Sequence, residues 1–227
     1  MGLSYGTTTL HQATKGIVQD GLVLNLDPAV KDSYDTGTTW RDLSENGNNV
    51  SLVNSPTWAK TKGGIFEFDG SNDRGDVALS TYSSFSTFFF IRYISINSWN
   101  VAIDTLNSTH QMTFHATSSG GGDIAVIGPG NSTVITIDSY SNLSTKNWFY
   151  FGATYNGSTV TAYKNGISVG STSATGNINM SRTGIAARYN GGLYNRVDFG
   201  PIHMYNRALT SDEVARNFNV MRHRFGI

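Results

Sequence analysis

In Asn147–Ser171, NWFYFGATYNGSTVTAYKNGISVGS, an Asn-Gly pair twice interrupts a run of β-forming residues. A type I′ turn needs positive φ at both central positions, and Asn followed by Gly meets that need. Asn156-Gly157 and Asn165-Gly166 therefore predict two consecutive hairpins, a β-meander. The same texture runs through the chain. Leu22, Leu24 and Leu26 alternate in GLVLNLD, and Phe66 and Phe68 in GIFEFD. A period of two puts such residues on one face of a strand. Further strands are expected at Phe88–Ile96, Gln111–His115, Asp123–Ile127, Ser132–Ile137, Gly184–Arg188 and Arg196–Tyr205. Trp40–Asn49 and Ser118–Gly122 read as loops.

The chain closes differently. Thr210 and Glu213 fit a capping box, with Thr210 as the N-cap. Val214, Phe218 and Met221 then fall at i, i+4 and i+7, one apolar stripe. This predicts a helix over about residues 211–223. One short helix after many strands describes an antiparallel sandwich with a helix laid against it. Residues 1–19 show no clean period and read as an N-terminal arm, with the sandwich over 20–227.

Composition sets limits on function. Hydrophobic residues make up 38% of 227, enough for a real core, whereas charged residues are only 14%. Sixteen basic residues balance sixteen acidic ones, and no basic run offers a nucleic-acid footprint. The longest strongly apolar run, Phe88–Ile91, is far too short to span a membrane. The opening residues do not read as a secretory leader. Six Asn-x-Ser/Thr triplets are read as chance products of an Asn-, Ser- and Thr-rich chain. With no Cys, disulfides, thiolate metal sites and Cys nucleophiles are excluded.

Several short motifs invite functional readings. Asp198-Phe199-Gly200 spells a kinase triplet, but the other kinase elements are missing. It reads instead as strand, with Asp198 on the polar face. Arg74-Gly75-Asp76, an integrin-type tripeptide, is expected in a polar turn. The chain has three Glu, at 45, 67 and 213, and no spacing places two acids on one sheet face for glycoside hydrolysis. Glu67 facing an Asp across strands stays open. His11, His110, His115, His203 and His223 form no local metal-binding pair. Asp69, Asn72 and Asp73 gather oxygen ligands in one loop and are the metal candidates, with Ca²⁺ the only cofactor considered. The competing reading is Asx-turn chemistry. Sugar binding calls for aromatic rings beside Asn or Asp. Trp99 with Asn100, and Tyr189, Asn190 and Tyr194, have that composition between expected strands.

Taken in order, GLVLNLDP, WRDLSENGNN, GGIFEFDGSND, NWFYFGATYNGSTVTAYKNGISVG and VDFGPIHMYNRALTSDEVARNF resemble the laminin-G-like branch of the concanavalin A-like lectin/glucanase superfamily. The resemblance spans about residues 20–220 and implies an all-β, antiparallel jelly-roll β-sandwich with a short C-terminal helix. The glucanase acid pair is missing, so no enzyme activity is expected. GLVLNLDP with NRALTSDEVARNFNVMRHRFGI is also similar to virion proteins of tailed bacteriophages. That similarity implies a non-enzymatic virion structural protein, a capsid decoration displaying a domain that binds host-surface glycans. The virion would be assembled in the bacterial host cytoplasm. The alternative is a tail or fibre adhesin, or a free carbohydrate-binding lectin module. Free termini fray unless tied down, so the arm is expected to anchor to other capsid or tail proteins, and the protein to form a homo-oligomer. Neither nucleic acid nor membrane insertion is expected.

Overall fold

The computed structural model describes residues 16–96, 101–105, 112–116, 124–130, 134–143 and 146–227. In chain order the strands begin β1 (Leu22–Leu26), β2 (Thr39–Trp40), β3 (Val50–Val53), β4 (Thr57–Ala59), β5 (Ile65–Asp69) and β6 (Arg74–Val77). Next come β7 (Thr81–Tyr82), β8 (Phe85–Tyr93), β9 (Val101–Asp104), β10 (Thr113–Ala116), β11 (Ile124–Ile127) and β12 (Val134–Asp138). A single helical turn, α1 (Tyr140–Leu143), precedes β13 (Trp148–Tyr155), β14 (Thr159–Lys164) and β15 (Ile167–Ser173). The last are β16 (Ile178–Asn179), β17 (Thr183–Ile185), β18 (Arg196–Tyr205) and the helix α2 (Ser211–Phe225).

These strands form two antiparallel sheets. The first runs β15-β14-β13-β8-β18-β5-β4, with β1 also paired to β18. The second runs β12-β11-β10-β9-β17-β6-β3-β2, and β7 pairs with β16 in a small ribbon. Phe89, Ile91, Phe149, Phe151 and Phe199 of the first sheet bury into one core with Val50, Ile103, Phe114 and Val126 of the second. Phe89 meets Phe114 edge-on, with ring centres 5.0 Å apart. The architecture is the concanavalin A-like sandwich that the sequence predicts.

The middle of the first sheet is buried on both faces. Phe88, Phe90, Tyr150 and Tyr205 point away from the main core into a second cluster, covered by Val214, Met221 and Phe225 of α2. This explains the unbroken FFFI of β8, since a strand covered on both sides loses its polar face. The apolar stripe continues one turn past Met221 to Phe225, so α2 ends two residues later than expected. Phe225 stacks on Phe90, with centres 4.3 Å apart. The predicted capping box at Thr210 and Glu213 is present, and Gly226 closes the helix at φ 75°.

The two Asn-Gly pairs differ. Asn165 and Gly166 take φ 50° and 80°, as the two-residue turn requires. Residues 156–158 form a longer connection in which Asn156 Oδ1 accepts from the backbone N–H groups of Ser158 and Thr159. Arg74-Gly75-Asp76 corrects another expectation. It is strand β6 inside the second sheet, not a turn, and its Arg and Asp pair with each other at 2.9 Å. The strand places Gly75 so close to Val50 that a Cβ there would lie 2.8 Å from it.

Of the N-terminal arm, residues 1–15 lie outside the described residues. Its last residues dock on this chain's own helix. Val18 N–H donates to Asn217 Oδ1 at 2.8 Å, and Arg216 Nε donates to the Gly16 carbonyl at 2.9 Å.

Two consequences can be measured. In Asp198-Phe199-Gly200, the register of β18 slips between Phe199 and Ile202, and a Cβ on Gly200 would stand 2.6 Å from Phe225 Cζ. Gly200→Ala should therefore cost about 1–3 kcal/mol in urea unfolding, because the helix end must lift off the sheet. A cost under about 0.5 kcal/mol would refute that packing role. The second concerns His203, which is fully buried with both ring nitrogens unpartnered. Asn25 lies opposite it in β1, and Arg224, held by Asp27, adds positive charge nearby. Burial first, then Arg224, lowers its pKa from 6.5 to about 3. The unfolded chain thus takes up the proton before the folded one. This group's contribution is intact above about pH 6.5 and is lost as pH falls toward 3. Unfolding free energy should drop by up to about 1.4 kcal/mol per pH unit between pH 6.5 and about 5. His203→Leu should flatten that slope.

Candidate functional site

Strand register assembles a polar row on the outer face of the first sheet. Thr57 of β4 lies opposite Glu67 of β5, and Glu67 opposite Asp198 of β18. Asp198 lies opposite Arg92 of β8, and Arg92 opposite Trp148 of β13. Directly opposed residues in antiparallel strands share a face, so one transverse line carries five side chains from five strands. The row begins where α2 stops. Phe225, at the helix end, packs against Trp148 with ring centres 4.7 Å apart. Beyond it, burial falls along the row from Asp198 through Glu67 to exposed Thr57.

Arg92 organises this row. Its Nε donates to Asp198 Oδ2 at 2.6 Å, and its guanidinium stands 5.6 Å from the centre of the Trp148 ring. Asp198 is almost wholly buried. Burial raises its pKa, the Arg92 hydrogen bond and charge pull it back, and the charge of Glu67 raises it. A carboxylate pair therefore does exist on the sheet face, formed across strands. One member is committed to Arg92.

Two grooves meet at Arg92. The first, about 320 Å³, is lined by Thr57, Glu67, Asp69, Asp73, Arg196 and Asp198 together with Arg92. The second, about 490 Å³, is lined by Arg92, Lys62, Lys146, Trp148, Asn165 and Phe225 among others.

The sequence candidates fall around this row and elsewhere. Asp69 and Asp73 line the first groove, but their oxygens hold the loop together. Asp69 Oδ1 accepts from the backbone N–H groups of Ser71, Asn72 and Asp73 at 2.7, 3.3 and 3.5 Å. These amides, led by that of Ser71, lower the Asp69 pKa. Asp73 Oδ2 accepts from Asp69 N–H, and burial raises the Asp73 pKa. The Asn72 carbonyl takes the side-chain amide of Asn54. Ca²⁺ needs six to eight converging oxygens. Among the described residues, no three His, Asp or Glu side chains gather as a metal ion requires. In this loop the two carboxylates act as Asx-turn acceptors of backbone amides.

Tyr189, Asn190 and Tyr194 come together in the β17–β18 loop, away from the polar row. Asn190, Gly191, Gly192 and Leu193 all take positive φ there, and Arg188 N–H donates to the Gly192 carbonyl. The Tyr194 hydroxyl lies so close over Gly191 that a Cβ would meet it at 2.5 Å. Asn190 is exposed and both Tyr are half-buried. Trp99 and Asn100 lie outside the described residues. Val101, next in the chain, donates its N–H to the Leu193 carbonyl of this loop.

Reading the sequence missed Arg92, Trp148, Lys62 and Lys146. Arg92 left a signal, being the lone charge in the apolar run FFFIRY. The others gain meaning only from cross-strand register.

Fold and site together define a lectin-type sandwich with one polar row left open beside its covering helix. The chain belongs to the Laminin_G_3 family of the concanavalin A-like lectin/glucanases superfamily, whose family model matches residues 67–215. Solved structures share the fold. The binding domain of paraclostridial mosquitocidal protein 1 is 19% identical with a TM-score of 0.67, covering 88% of this chain and 52% of that one. The binding domain of botulinum neurotoxin DC, in complex with SialylT, is 16% identical with a TM-score of 0.69, over 89% and 52%. A botulinum neurotoxin type C structure, described by its dependence on two ganglioside molecules for cell entry, is 17% identical with a TM-score of 0.70, over 90% and 52%. This chain thus spans about half the length of those it matches. No curated protein matches its sequence.

The Arg92–Asp198 pair yields a stability prediction. Arg92→Ala would leave Asp198 buried beside Glu67 without a partner. The expected cost is about 2–3 kcal/mol in urea unfolding, reduced from the fully buried case because the Arg92 side chain is 33% exposed. Adding Asp198→Asn should restore most of the loss. A double variant as unstable as the single one would mean that Arg92 acts by packing alone.

Proposed function

We propose that this protein is a non-enzymatic, carbohydrate-binding lectin-like module whose glycan lies across the polar row at Arg92. The observation that carries this reading is the row itself: Thr57, Glu67, Asp198 and Arg92 set acceptors and donors side by side along one groove, and the Trp148 indole stands next in line in the wall of the adjoining groove. A few fixed polar groups beside an apolar surface are what a sugar's hydroxyls and C–H faces require. The neighbours support it. One is described with two gangliosides and another in complex with SialylT. Since about half of each neighbour has no counterpart here, those ligands support the class of binding and not particular residues. The same comparisons lend no support to a place in a virion or on a capsid, and the lectin reading, second in the sequence analysis, is the one they favour. The acid pair argues against hydrolysis, because Asp198 is tied to Arg92 and leaves Glu67 without a free partner.

A glycan array probed with the full chain tests the proposal. Thr57→Ala with Glu67→Gln should weaken the best-bound glycan by about tenfold or more, with circular dichroism and melting temperature unchanged. Thr57 is exposed and Glu67 half-buried, so the fold should tolerate both changes. Unchanged binding would remove the row as the site, and an array with no bound glycan would remove the lectin reading.

A further inference from the structure

The groove on the Trp148 side has a chemistry of its own. Lys62, Arg92 and Lys146 line it, none of its lining residues is Asp or Glu, and the oxygen of Ile227, which also lines it, accepts from Arg222 at 3.3 Å. Arg92 is already paired with Asp198. Among the described residues, neither lysine has an ion-pair partner. Lys62 is directed here by its backbone, which takes φ 54° in the short turn before β5, and its Nζ reaches the end of α2 beside Gly226. Lys146 also takes positive φ, 56°, just before β13. A second, independent observation comes from the aromatic wall. Trp148 is only 5% exposed, yet its indole Nε1 has no hydrogen-bond partner. A buried donor without an acceptor is costly, and this one belongs to a residue of the groove wall.

We infer that this half of the groove binds an anionic sugar unit, its carboxylate or sulfate held by Lys62 and Lys146 beside the Trp148 indole. The inference rests on the lectin reading and names its ligand class. It also orients the glycan. The charged unit occupies the basic side, and neutral units extend past Arg92 over Glu67 and Thr57. An acidic unit on that second side would face Glu67, Asp69 and Asp73, which outnumber its one further cation, Arg196, and would be repelled. The anion could reach the site as a carboxylate, as in a sialic or uronic acid, or as a sulfate ester. Both satisfy ammonium donors.

The test uses matched pairs on the array and in titration of the full chain: sialyllactose and 3′-sulfated lactose, each against lactose. At least one anionic member should bind about tenfold or more tightly than lactose, and that advantage should shrink as salt rises. Lys62→Asn with Lys146→Asn should abolish the advantage, leave lactose binding unchanged and leave the melting temperature in place. Asn suits the positive φ at both positions. Equal binding of anionic and neutral members, or an advantage that survives the double substitution, would overturn this inference and leave the lectin reading standing. Failure of all three sugars, with no other glycan bound, would overturn both.

Discussion

Everything on the outer face of the first sheet depends on the packing of Phe225 over Phe90 and Gly200. A sandwich needs only one apolar face per sheet. Here a second is buried by a helix of fifteen residues whose last turn presses a ring to 4.3 Å from the Phe90 ring. The close approach is permitted because β18 carries no side chain at residue 200. Each aromatic ring buried this way contributes roughly 1.5–3 kcal/mol, so the covering helix adds a second core as well as closing the chain. Asn217 extends that role, bonding to Val18 and Tyr205 and tying the N-terminal side of the domain to its end.

Where that apolar cover ends, the polar row begins. Two residues along β8 from Phe90 comes Arg92, and two residues back along β13 from Tyr150 comes Trp148. The same pleat that puts Phe90 and Tyr150 under the helix puts Arg92 and Trp148 at its edge. The boundary between second core and open groove is therefore set by the length of α2. Arg92 suits such a boundary. Its planar group covers an indole on one side and binds a buried carboxylate on the other.

The sandwich and its cap were legible because they rest on local rules. Alternation marks half-buried strands, Asn165-Gly166 marks a turn, and Thr210 with Glu213 marks a helix start. The site was less legible because it rests on register. Glu67 and Asp198 are 131 residues apart in sequence and become neighbours only when β5 and β18 align as they do. Asp198 was read correctly as a polar-face strand residue, yet nothing local shows that Arg92 stands opposite it. Arg74-Gly75-Asp76 failed in the reverse direction. Its residues look turn-like, but Gly75 is needed where β6 passes Val50, and the flanking charges pair with each other. The Asp69 loop was ambiguous for a chemical reason, since a carboxylate that caps amides and one that binds a cation need the same residue types.

The charges of the row are also unevenly placed along it. From Thr57 to Asp198 the lining is rich in carboxylates, and from Arg92 onward it is cationic. That gradient arises from two separate parts of the chain. The acids come from β5, β18 and the Asx turn between β5 and β6, all fixed by sheet pairing. The lysines come from turns with left-handed backbone, one before β5 and one before β13. The acidic half is therefore rigid, and the basic half is carried on connections that sequence change can alter without touching either core. A sandwich built this way keeps its framework while the charge at one end of its groove, and with it the preferred ligand, is free to vary.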